Sequence, residues 1–212
     1  MQLQVSAFPG GPIETNAYLV IDPDSGEALV VDAPEGITDT IIDAARQAGA
    51  KITQIVITHT HWDHIGDAAE MKAKTGAPVI AHELAVPGLT KPGSVVVDLP
   101  APIPPVTPDR LVNDGDTVSL GSRAFTVLHL PGHDIAHIAL YSEPDRIFLG
   151  GDVLFPGGHG RTDVPGTDQA TMERSLARLV EFPPDVVVYP GHGRTTIIGN
   201  EGWLQSFRDQ SS

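Results

Sequence analysis

The stretch His59-Thr60-His61-Trp62-Asp63-His64 is the part of this sequence that decides how the rest is interpreted. Four potential metal ligands follow an apolar run, residues 52–57, that predicts a buried strand. Residues 65–76 have apolar side chains at helical spacing and end in a glycine, which predicts a helix. We therefore expect His59 and His61 on a strand-to-helix loop and Asp63 and His64 at the helix start. Imidazoles and a carboxylate without thiolates suit Zn²⁺, Fe²⁺ or Mn²⁺ rather than a closed structural zinc site.

The composition of the chain limits its class and its partners. Its 212 residues are enough for one sizeable core, so we expect a single domain over residues 1–212. The formal net charge of −14 argues against a nucleic-acid partner, because phosphate backbones need a basic surface. No apolar run approaches the ~20 residues that cross a bilayer. The N-terminus lacks a secretion signal, so we expect a cytoplasmic protein that does not associate with membranes.

The absence of cysteine excludes disulfides, thiolate ligands and a cysteine nucleophile. A small-molecule substrate is the expected partner, and the sequence does not decide between a monomer and a homo-oligomer.

Strand and helix patterns alternate along the first half of the chain. We predict paired strands at 16–21 and 28–32, a helix at 38–48 capped by Thr38 or Asp39, and a short strand at 78–81. Residues 87–108 are rich in proline and glycine, which indicates a long connection across one domain, although a linker between domains has the same composition. This alternation predicts an α/β layered fold.

The second half repeats a similar order of elements. Strands are predicted at 117–120, 124–130, 138–141, 146–149 and 186–189. A helix is predicted from Thr167 or Asp168 to the prolines at 183–184, and a short docking helix near the C-terminus includes Trp203, Leu204 and Phe207.

Three of the later strands end in a turn followed by a residue that can bind a metal. His133 follows Pro131-Gly132, Asp152 follows Gly150-Gly151, and His192 follows Pro190-Gly191. Each glycine permits a tight backbone path close to a metal. One such turn is a weak signal, but three in a chain that already contains the histidine-rich stretch indicate one shared site.

The His-x-His-x-Asp-His pattern resembles the signature of the metallo-β-lactamase superfamily of hydrolases. This resemblance implies a four-layer αββα sandwich and a two-metal site. It implies that His59, His61 and His133 bind one metal, that Asp63, His64 and His192 bind the second, and that Asp152 bridges them. Flavodiiron oxygen reductases of this fold usually carry a glutamate at the position of His61, so the histidine favours the hydrolytic branch.

Three further segments, 151–155, 160–168 and 190–201, resemble the short bacterial glyoxalase II-like hydrolases. Long glyoxalase II enzymes hold glutathione with a C-terminal helical region, and the sequence stops before it, so we do not expect glutathione recognition by that route. The resemblance places Arg161 near a basic residue that contacts substrate in the long enzymes, so it is a candidate for an anionic group. Pairing of Arg161 with Asp163 is an equal alternative. His159 is expected to border the substrate cleft.

The remaining histidines receive other interpretations. The segment from His133 to His137 is similar to the family's Pro-Gly-His-Thr-Pro-Gly-His, with Asp134, Ile135 and Ala136 in place of Thr, Pro and Gly. We expect His137 to be a buried group that supports a ligand rather than a ligand itself. His82 and His129 are expected to be ordinary core or surface residues.

The leading hypothesis is hydrolysis of a small acyl thioester, such as a hydroxyacyl-glutathione. Metal-bound water, with its pKa lowered from 15.7 toward ~7, would give the attacking hydroxide. Asp63 would orient that hydroxide as the catalytic residue, and the metal charge would stabilise the oxyanion. The chain has no Gly-x-Ser-x-Gly elbow that would indicate a serine nucleophile.

Three alternatives remain at this point. A single Fe²⁺ held by His59, His133 and Asp152 would suit a persulfide dioxygenase. Lactone hydrolysis is a variant of the first chemistry. A non-catalytic metal-binding protein is the third, and the presence of all seven expected ligands argues against it.

Overall fold

The side chains of one strand show why the chain forms layers. In β2 (Thr15–Asp22), Leu19 and Ile21 enter one apolar cluster, whereas Tyr18 and Val20 enter another. Successive side chains of a strand point to opposite faces, so a strand that is apolar at nearly every position needs cover on both sides. The computed structural model, which describes residues 1–94 and 101–210, places a second sheet on one side of β2 and helices on the other.

The first sheet contains six strands in sequence order. The pairs β1–β2 and β2–β3 are antiparallel, and the pairs from β3 to β6 are parallel. Besides β2, its strands are β1 (Gln4–Gly10), β3 (Glu27–Val31), β4 (Lys51–Val56), β5 (Val79–His82) and β6 (Arg110–Val112).

The second sheet has the spatial order β12-β11-β10-β9-β8-β7, and only the β10–β11 pair is parallel among its described strands. Its strands are β7 (Thr117–Leu120), β8 (Arg123–His129), β9 (Ile138–Ser142), β10 (Ile147–Gly151), β11 (Val187–Pro190) and β12 (Thr196–Ile197).

Helices cover the outer faces of both sheets, which completes the αββα sandwich. Ile41 of α1 and Met71 of α3 pack on the first sheet, and Met172 and Leu176 of α5 pack on the second. The inner core contains side chains from both sheets, among them Leu29 and Val31 of β3. The helices are α1 (Thr38–Gln47), α2 (Trp62–Ile65), α3 (Ala68–Thr75), α4 (Val86–Thr90) and α5 (Gln169–Ala177), with 3₁₀ turns at Glu83–Ala85, Ile198–Asn200 and Gly202–Gln210.

The structure corrects the predicted start of α1. The helix starts at Thr38, but neither Thr38 nor Asp39 caps it. The cap comes from Asp67, whose Oδ2 accepts hydrogen bonds from the backbone N–H groups of Ile37 and Thr38 at 2.9 and 3.1 Å. A side chain from another part of the fold therefore satisfies the free N–H groups that every helix start leaves.

Two predicted helices also have different bounds. The single helix expected over 65–76 is two helices, α2 and α3, which Gly66 and Asp67 separate. Helix α3 ends before Gly76, which adopts φ +68°. A side chain at Gly66 would collide with the backbone of Glu35, so the chain bends there to pack closely. Helix α5 ends at Ala177 and not at the prolines, because residues 178–182 form turns.

Several elements had no sequence prediction, namely β1, α4, β6 and β12. In the proline-rich connection, α4 occupies residues 86–90, whereas residues 95–100 lie outside the described part. Throughout residues 1–94 and 101–210, no helix combines the length and the apolar character needed to cross a membrane.

Candidate metal centre

Four strand ends meet at one edge of the sandwich and carry the predicted ligands. His59 and His61 follow β4, His133 follows β8, Asp152 follows β10, and His192 follows β11. Strands β10 and β11 are parallel neighbours, so the residues that follow them leave the sheet at the same edge. The first sheet thus supplies the histidine-rich loop, and the second supplies the other three residues.

The structure brings these seven predicted side chains together as two adjoining groups. In the first group, His59 Nε2 lies 3.1 Å from His61 Nδ1, and the rings of His61 and His133 lie 4.3 Å apart. One ligand atom from each of His59, His61 and His133 falls within 4.8 Å of the others. This spacing matches three donors around a single cation.

The second group contains Asp63, His64 and His192, again with ligand atoms within 4.8 Å of one another. Asp63 Oδ2 lies 3.3 Å from His64 Nε2 and 3.2 Å from His192 Nε2. His192 is the most exposed member of this group, and the other two are buried.

Asp152 lies between the two groups. Its Oδ2 is 3.3 Å from His133 Nε2 and 3.6 Å from His192 Nε2, and its Oδ1 is 3.4 Å from His64 Nε2. A carboxylate with one group on each side is placed to contact a cation in both.

The donor set fits two divalent cations. Among the described residues, His64 Nε2, His133 Nε2 and Asp152 Oδ1 are buried atoms without a hydrogen-bond partner. A buried polar atom left unpaired is costly, so three of them directed at one place indicate a bound group that satisfies them. Five imidazoles and two carboxylates are ligands that Zn²⁺, Fe²⁺ and Mn²⁺ accept.

Close packing of backbone against ligand also belongs to this site. A Cβ atom at Gly191 would collide with Asp152 Oδ1 and would lie 2.7 Å from His64 Cε1. At Gly151, with φ +51°, a Cβ atom would lie 2.7 Å from His137 Nε2. Gly191 thus lets the backbone approach Asp152 and His64, and Gly151 lets it approach His137, to distances that a side chain would prevent.

Two supporting residues, Asp32 and Thr58, contact the Nδ1 atoms of His64 and His59. Asp32, at the end of β3, has one oxygen 2.8 Å from His64 Nδ1 and accepts hydrogen bonds from Thr58 N and Thr58 Oγ1 at 2.8 Å each. Thr58 Oγ1 in turn lies 3.0 Å from His59 Nδ1. In proteins, the ring nitrogen of a histidine that does not bind the metal commonly makes a hydrogen bond of this kind.

Sequence analysis did not identify Asp32 or Thr15 as site residues. Thr15 donates a hydrogen bond from Oγ1 to Asp63 Oδ2 at 2.6 Å. Asp32 carries the same signal as Asp152, a polar residue at the end of an apolar strand, so strand-end position could have identified it. Thr15 is the first residue of β2 and carries no comparable signal.

His137 is fully buried beside the ligands, as a supporting residue would be. Its Nε2 accepts a hydrogen bond from the backbone N–H of Asp152 at 2.9 Å. Burial and the neighbouring His133 lower its pKa to about 3, so the ring stays neutral and keeps Nε2 as an acceptor. His82 and His129 lie apart from the site and stack on each other with centroids 4.0 Å apart.

The two groups differ in charge when no cation is bound. Burial lowers the pKa of His61 to about 4 and that of His59 well below the ordinary range. Burial would also lower the pKa of His64, but Asp152, Asp32 and Asp63 raise it well above normal. Burial would raise the pKa of Asp63, but His64, His192 and Thr15 lower it to about 2.

A cleft of about 570 Å³ opens directly onto these ligands. The predicted substrate residues His159 and Arg161 line it, together with Trp62, Phe155 and Val164. Arg161 is exposed and donates to both oxygens of Asp163, at 2.8 and 3.2 Å, which was the alternative role considered for it. His159 Nδ1 lies 2.7 Å from the carbonyl oxygen of Gly160.

Two curated relatives carry the name hydroxyacylglutathione hydrolase. The chain is 36% identical over 181 residues to the hydroxyacylglutathione hydrolase of Maricaulis maris, and the match covers 84% of this chain and 62% of that protein. The chain therefore spans less than two thirds of that relative. It is 29% identical to a hydroxyacylglutathione hydrolase of Haemophilus influenzae, where the match covers 99% and 100% of the two chains.

Solved structures share the fold over nearly the whole chain. The BLEG-1 B3 metallo-β-lactamase has a TM-score of 0.86 at 30% identity, and the match covers 95% of this chain and 99% of that one. The protein TTHA1623 in a di-iron-bound form has a TM-score of 0.81 at 33% identity, with 92% and 96% covered. The family model described as "Metallo-beta-lactamase superfamily" matches residues 10–192. With its αββα sandwich and its cluster of histidines and aspartates, the chain belongs to the metallo-β-lactamase superfamily.

Proposed function

We propose that this metallohydrolase cleaves small acyl thioesters, with hydroxyacyl-glutathione as one thioester of the panel to be tested. The observation that carries the proposal is the convergence of His64 Nε2, His133 Nε2 and Asp152 Oδ1, buried and unpaired among the described residues, at the base of an open cleft. The names of the Maricaulis maris and Haemophilus influenzae relatives support the thioester as the bond that is cleaved.

Two divalent cations fit the site. His59, His61 and His133 would hold one, Asp63, His64 and His192 the other, and Asp152 would contact both. When bound, such cations lower the pKa of water toward ~7 and polarise a carbonyl oxygen. We propose Zn²⁺ as the metal, and Fe²⁺ and Mn²⁺ suit the same donors. The di-iron form of TTHA1623 supports testing iron directly.

Asp63 is the residue proposed to orient the attacking water. It lines the cleft, and Thr15 Oγ1 holds one of its oxygens at 2.6 Å. Because its pKa is about 2, it is a carboxylate throughout the neutral range and accepts hydrogen bonds without donating one. A carboxylate in this position directs a water lone pair away from itself and toward the carbonyl carbon of a substrate in the cleft.

A thioester requires less of the protein than an amide does. The thiol that leaves has an ordinary pKa of about 8.5, so it departs as the thiolate without a general acid. The residues of the site therefore need only to bind the acyl group, orient water and stabilise the negative charge that develops on the carbonyl oxygen.

The test is hydrolysis of a panel of thioesters by metal-loaded protein, with His59→Ala and Asp152→Ala as site variants. We expect turnover that chelation removes and added Zn²⁺, Fe²⁺ or Mn²⁺ restores, and a loss of at least about 10³-fold in both variants. The control is His129→Ala, which removes a histidine outside both groups and should retain turnover. Full thioesterase activity in a folded, metal-free His59→Ala protein would contradict the proposal.

The same preparation distinguishes the alternative reactions. Lactone hydrolysis is measured on the same loaded protein. Oxygen consumption with a persulfide, supported by iron and absent with zinc, would indicate the dioxygenase instead. Lack of turnover with thioesters, lactones and persulfides in fully loaded protein would indicate a non-catalytic metal-binding role.

A further inference from the structure

The cleft beside the metal ligands has walls that are mostly apolar. Ile13 and Trp62 form one part of the lining, and Phe155, Val164 and Pro165 form another. Ile13 is 50% exposed although it is a large apolar residue. Exposed apolar side chains grouped around a site mark a surface that binds an apolar part of a ligand.

Charged groups are few in this lining. Apart from the ligands Asp63 and Asp152, Arg161 is the one residue with a permanent charge among the cleft-lining residues of the described chain. Its guanidinium is held by both oxygens of Asp163, at 2.8 and 3.2 Å. A substrate carboxylate placed beside Arg161 would therefore also lie beside Asp163, whose charge offsets the attraction.

The wall that contains Arg161 is tied to the site by its backbone. The carbonyl oxygen of Arg161 lies 2.8 Å from His133 Nδ1, and Gly160 N donates to the carbonyl oxygen of Asp152 at 2.9 Å. These two hydrogen bonds fix the backbone of Arg161 next to the candidate ligands, independently of what the Arg161 side chain binds. The apolar side chain of Val164 is on the same segment and faces the same cleft.

We propose that the cleft selects acyl thioesters whose thiol portion is uncharged and apolar, and that it discriminates against anionic thiols. This inference rests on the proposed thioesterase function and names its substrate class. The apolar walls bind the thiol portion by removing its apolar surface from water. A carboxylate buried against the same walls, away from the candidate ligands, would lose water, and Arg161 is already opposed there by Asp163.

The experiment compares two substrates that differ in one charge. The same hydroxyacyl group is attached to 3-mercaptopropionate and to its methyl ester, and each enzymatic kcat/KM is divided by the uncatalysed rate of hydroxide hydrolysis. We expect the methyl ester to be preferred by about tenfold or more, since an unpaired charged group in a binding site costs that much or more. The hydroxyacyl-glutathione thioester, which carries carboxylates, should behave like the anionic member.

Two variants separate the role of Asp163 from general electrostatics. Asp163→Asn leaves Arg161 without its carboxylate partner and should move the preference toward the anionic substrate by several-fold. Glu181→Gln is the matched control, because it breaks the similarly exposed pair of Arg208 and Glu181, whose N···O distance is 2.9 Å, and Glu181 is not part of the cleft lining. This control should leave the preference unchanged.

Salt distinguishes the cleft from the net charge of −14. Long-range repulsion is screened at high ionic strength, whereas contacts inside the cleft are screened less. A preference that persists at high salt supports the proposal. A preference that disappears there, or equal use of both substrates, overturns it and leaves the thioesterase function standing. Failure to hydrolyse any thioester overturns both.

Discussion

At the scale of single residues, Asp32 holds the ring of the candidate ligand His64 in place. It is almost fully buried, adopts φ +62°, and has an oxygen 2.8 Å from His64 Nδ1. This contact places the proton of His64 on Nδ1 and leaves Nε2 directed at the centre of the site. The left-handed conformation of a non-glycine residue is costly, so the contacts of Asp32 with Thr58 and His64 must offset it.

Replacing Asp32 with Asn tests this role. The amide keeps the size of the carboxylate but presents a donor to groups that also donate, so we expect metal affinity at the His64 group to fall by about 10- to 100-fold. Competition with a coloured chelator measures the affinity. Asp109→Asn is the control, because Asp109 pairs with Lys72 on the surface, 2.8 Å away. Equal affinities in both variants and the parent protein would contradict the role.

Asp134 joins the two loops that carry the first ligand group. Its Oδ2 accepts hydrogen bonds from Thr60 N and Thr60 Oγ1 at 3.1 and 2.9 Å, and its Oδ1 accepts from Ala136 N at 2.6 Å. Thr60 lies between His59 and His61, and Asp134 follows His133 directly. Asp134, one of the three residues that depart from the family pattern, therefore links the segments of three candidate ligands.

We expect Asp134→Ala to lower the free energy of unfolding by about 2–4 kcal/mol, because buried N–H and hydroxyl groups lose their acceptor. Asp134→Asn retains one acceptor oxygen and should cost clearly less. Urea denaturation of the chelated proteins measures both, so that metal binding does not enter the comparison. The interpretation would be wrong if the alanine and asparagine variants were equally stable.

At the scale of elements, the start of α1 depends on the turn between α2 and α3. Asp67 accepts from Ile37 N, Thr38 N and Thr38 Oγ1, the last at 2.9 Å. The backbone N–H of Asp67 also donates to the carbonyl oxygen of Ala33 at 2.8 Å. The segment that carries Asp63 and His64 is therefore attached to the first helix, 29 or 30 residues away in sequence.

Removing this cap should be more harmful than removing an acidic residue within α1. Asp67→Ala should destabilise the protein by about 2 kcal/mol or more, the upper part of the range for helix caps, since three donors lose one acceptor. Asp39 is an exposed residue of α1 that pairs with Lys74 of α3, and Asp39→Ala should cost about 1 kcal/mol or less. Urea denaturation compares them, and a reversed order would refute the assignment of the cap to Asp67.

These elements also show how much of the fold could be predicted from the sequence. The strands β2 to β5 and β7 to β11 were predictable because each is an apolar or alternating run bounded by turn residues. The family fold was predictable from the stretch His59 to His64. The cap of α1 was not, because Asp67 acts across space and leaves no local pattern. Strand β1, whose residues are exposed or half-buried, lacks the apolar pattern that predicts a strand.

The candidate site divides in the same way. His133, Asp152 and His192 share a readable feature, a turn with glycine after an apolar strand, and the structure places them beside the histidine-rich loop. Two other contacts depend on distances between loops. His137 accepts a hydrogen bond from the backbone N–H of Asp152, and Asp134 accepts one from that of Thr60. Spacing along the chain contains no information on those distances.

For the whole molecule, the two ligand groups should release cations at different pH values. A histidine must lose its proton before it binds a cation, so a raised pKa weakens binding as the pH falls. The carboxylates around His64 raise its pKa, and although burial acts in the opposite direction, Asp63 and Asp152 raise that of His192. His61, with a pKa of about 4, stays neutral over the same range.

We therefore expect the group with His64 and His192 to lose its cation first on acidification, starting near neutral pH, and the group with His59 and His61 to retain its cation to lower pH. Metal content after equilibration and rapid desalting between pH 7.5 and 3.5 should show two steps. Loss of both cations in a single step would refute the order.

The division of the ligands between the sheets has a consequence for how the chain holds together. Among the described residues, every strand of the first sheet lies at or before Val112, and every strand of the second lies at or after Thr117. Cations in the site would therefore act as a removable cross-link between two consecutive halves of one polypeptide. A protein nicked between Val112 and Thr117 should stay assembled while its cations are bound and separate far more readily once a chelator takes them away.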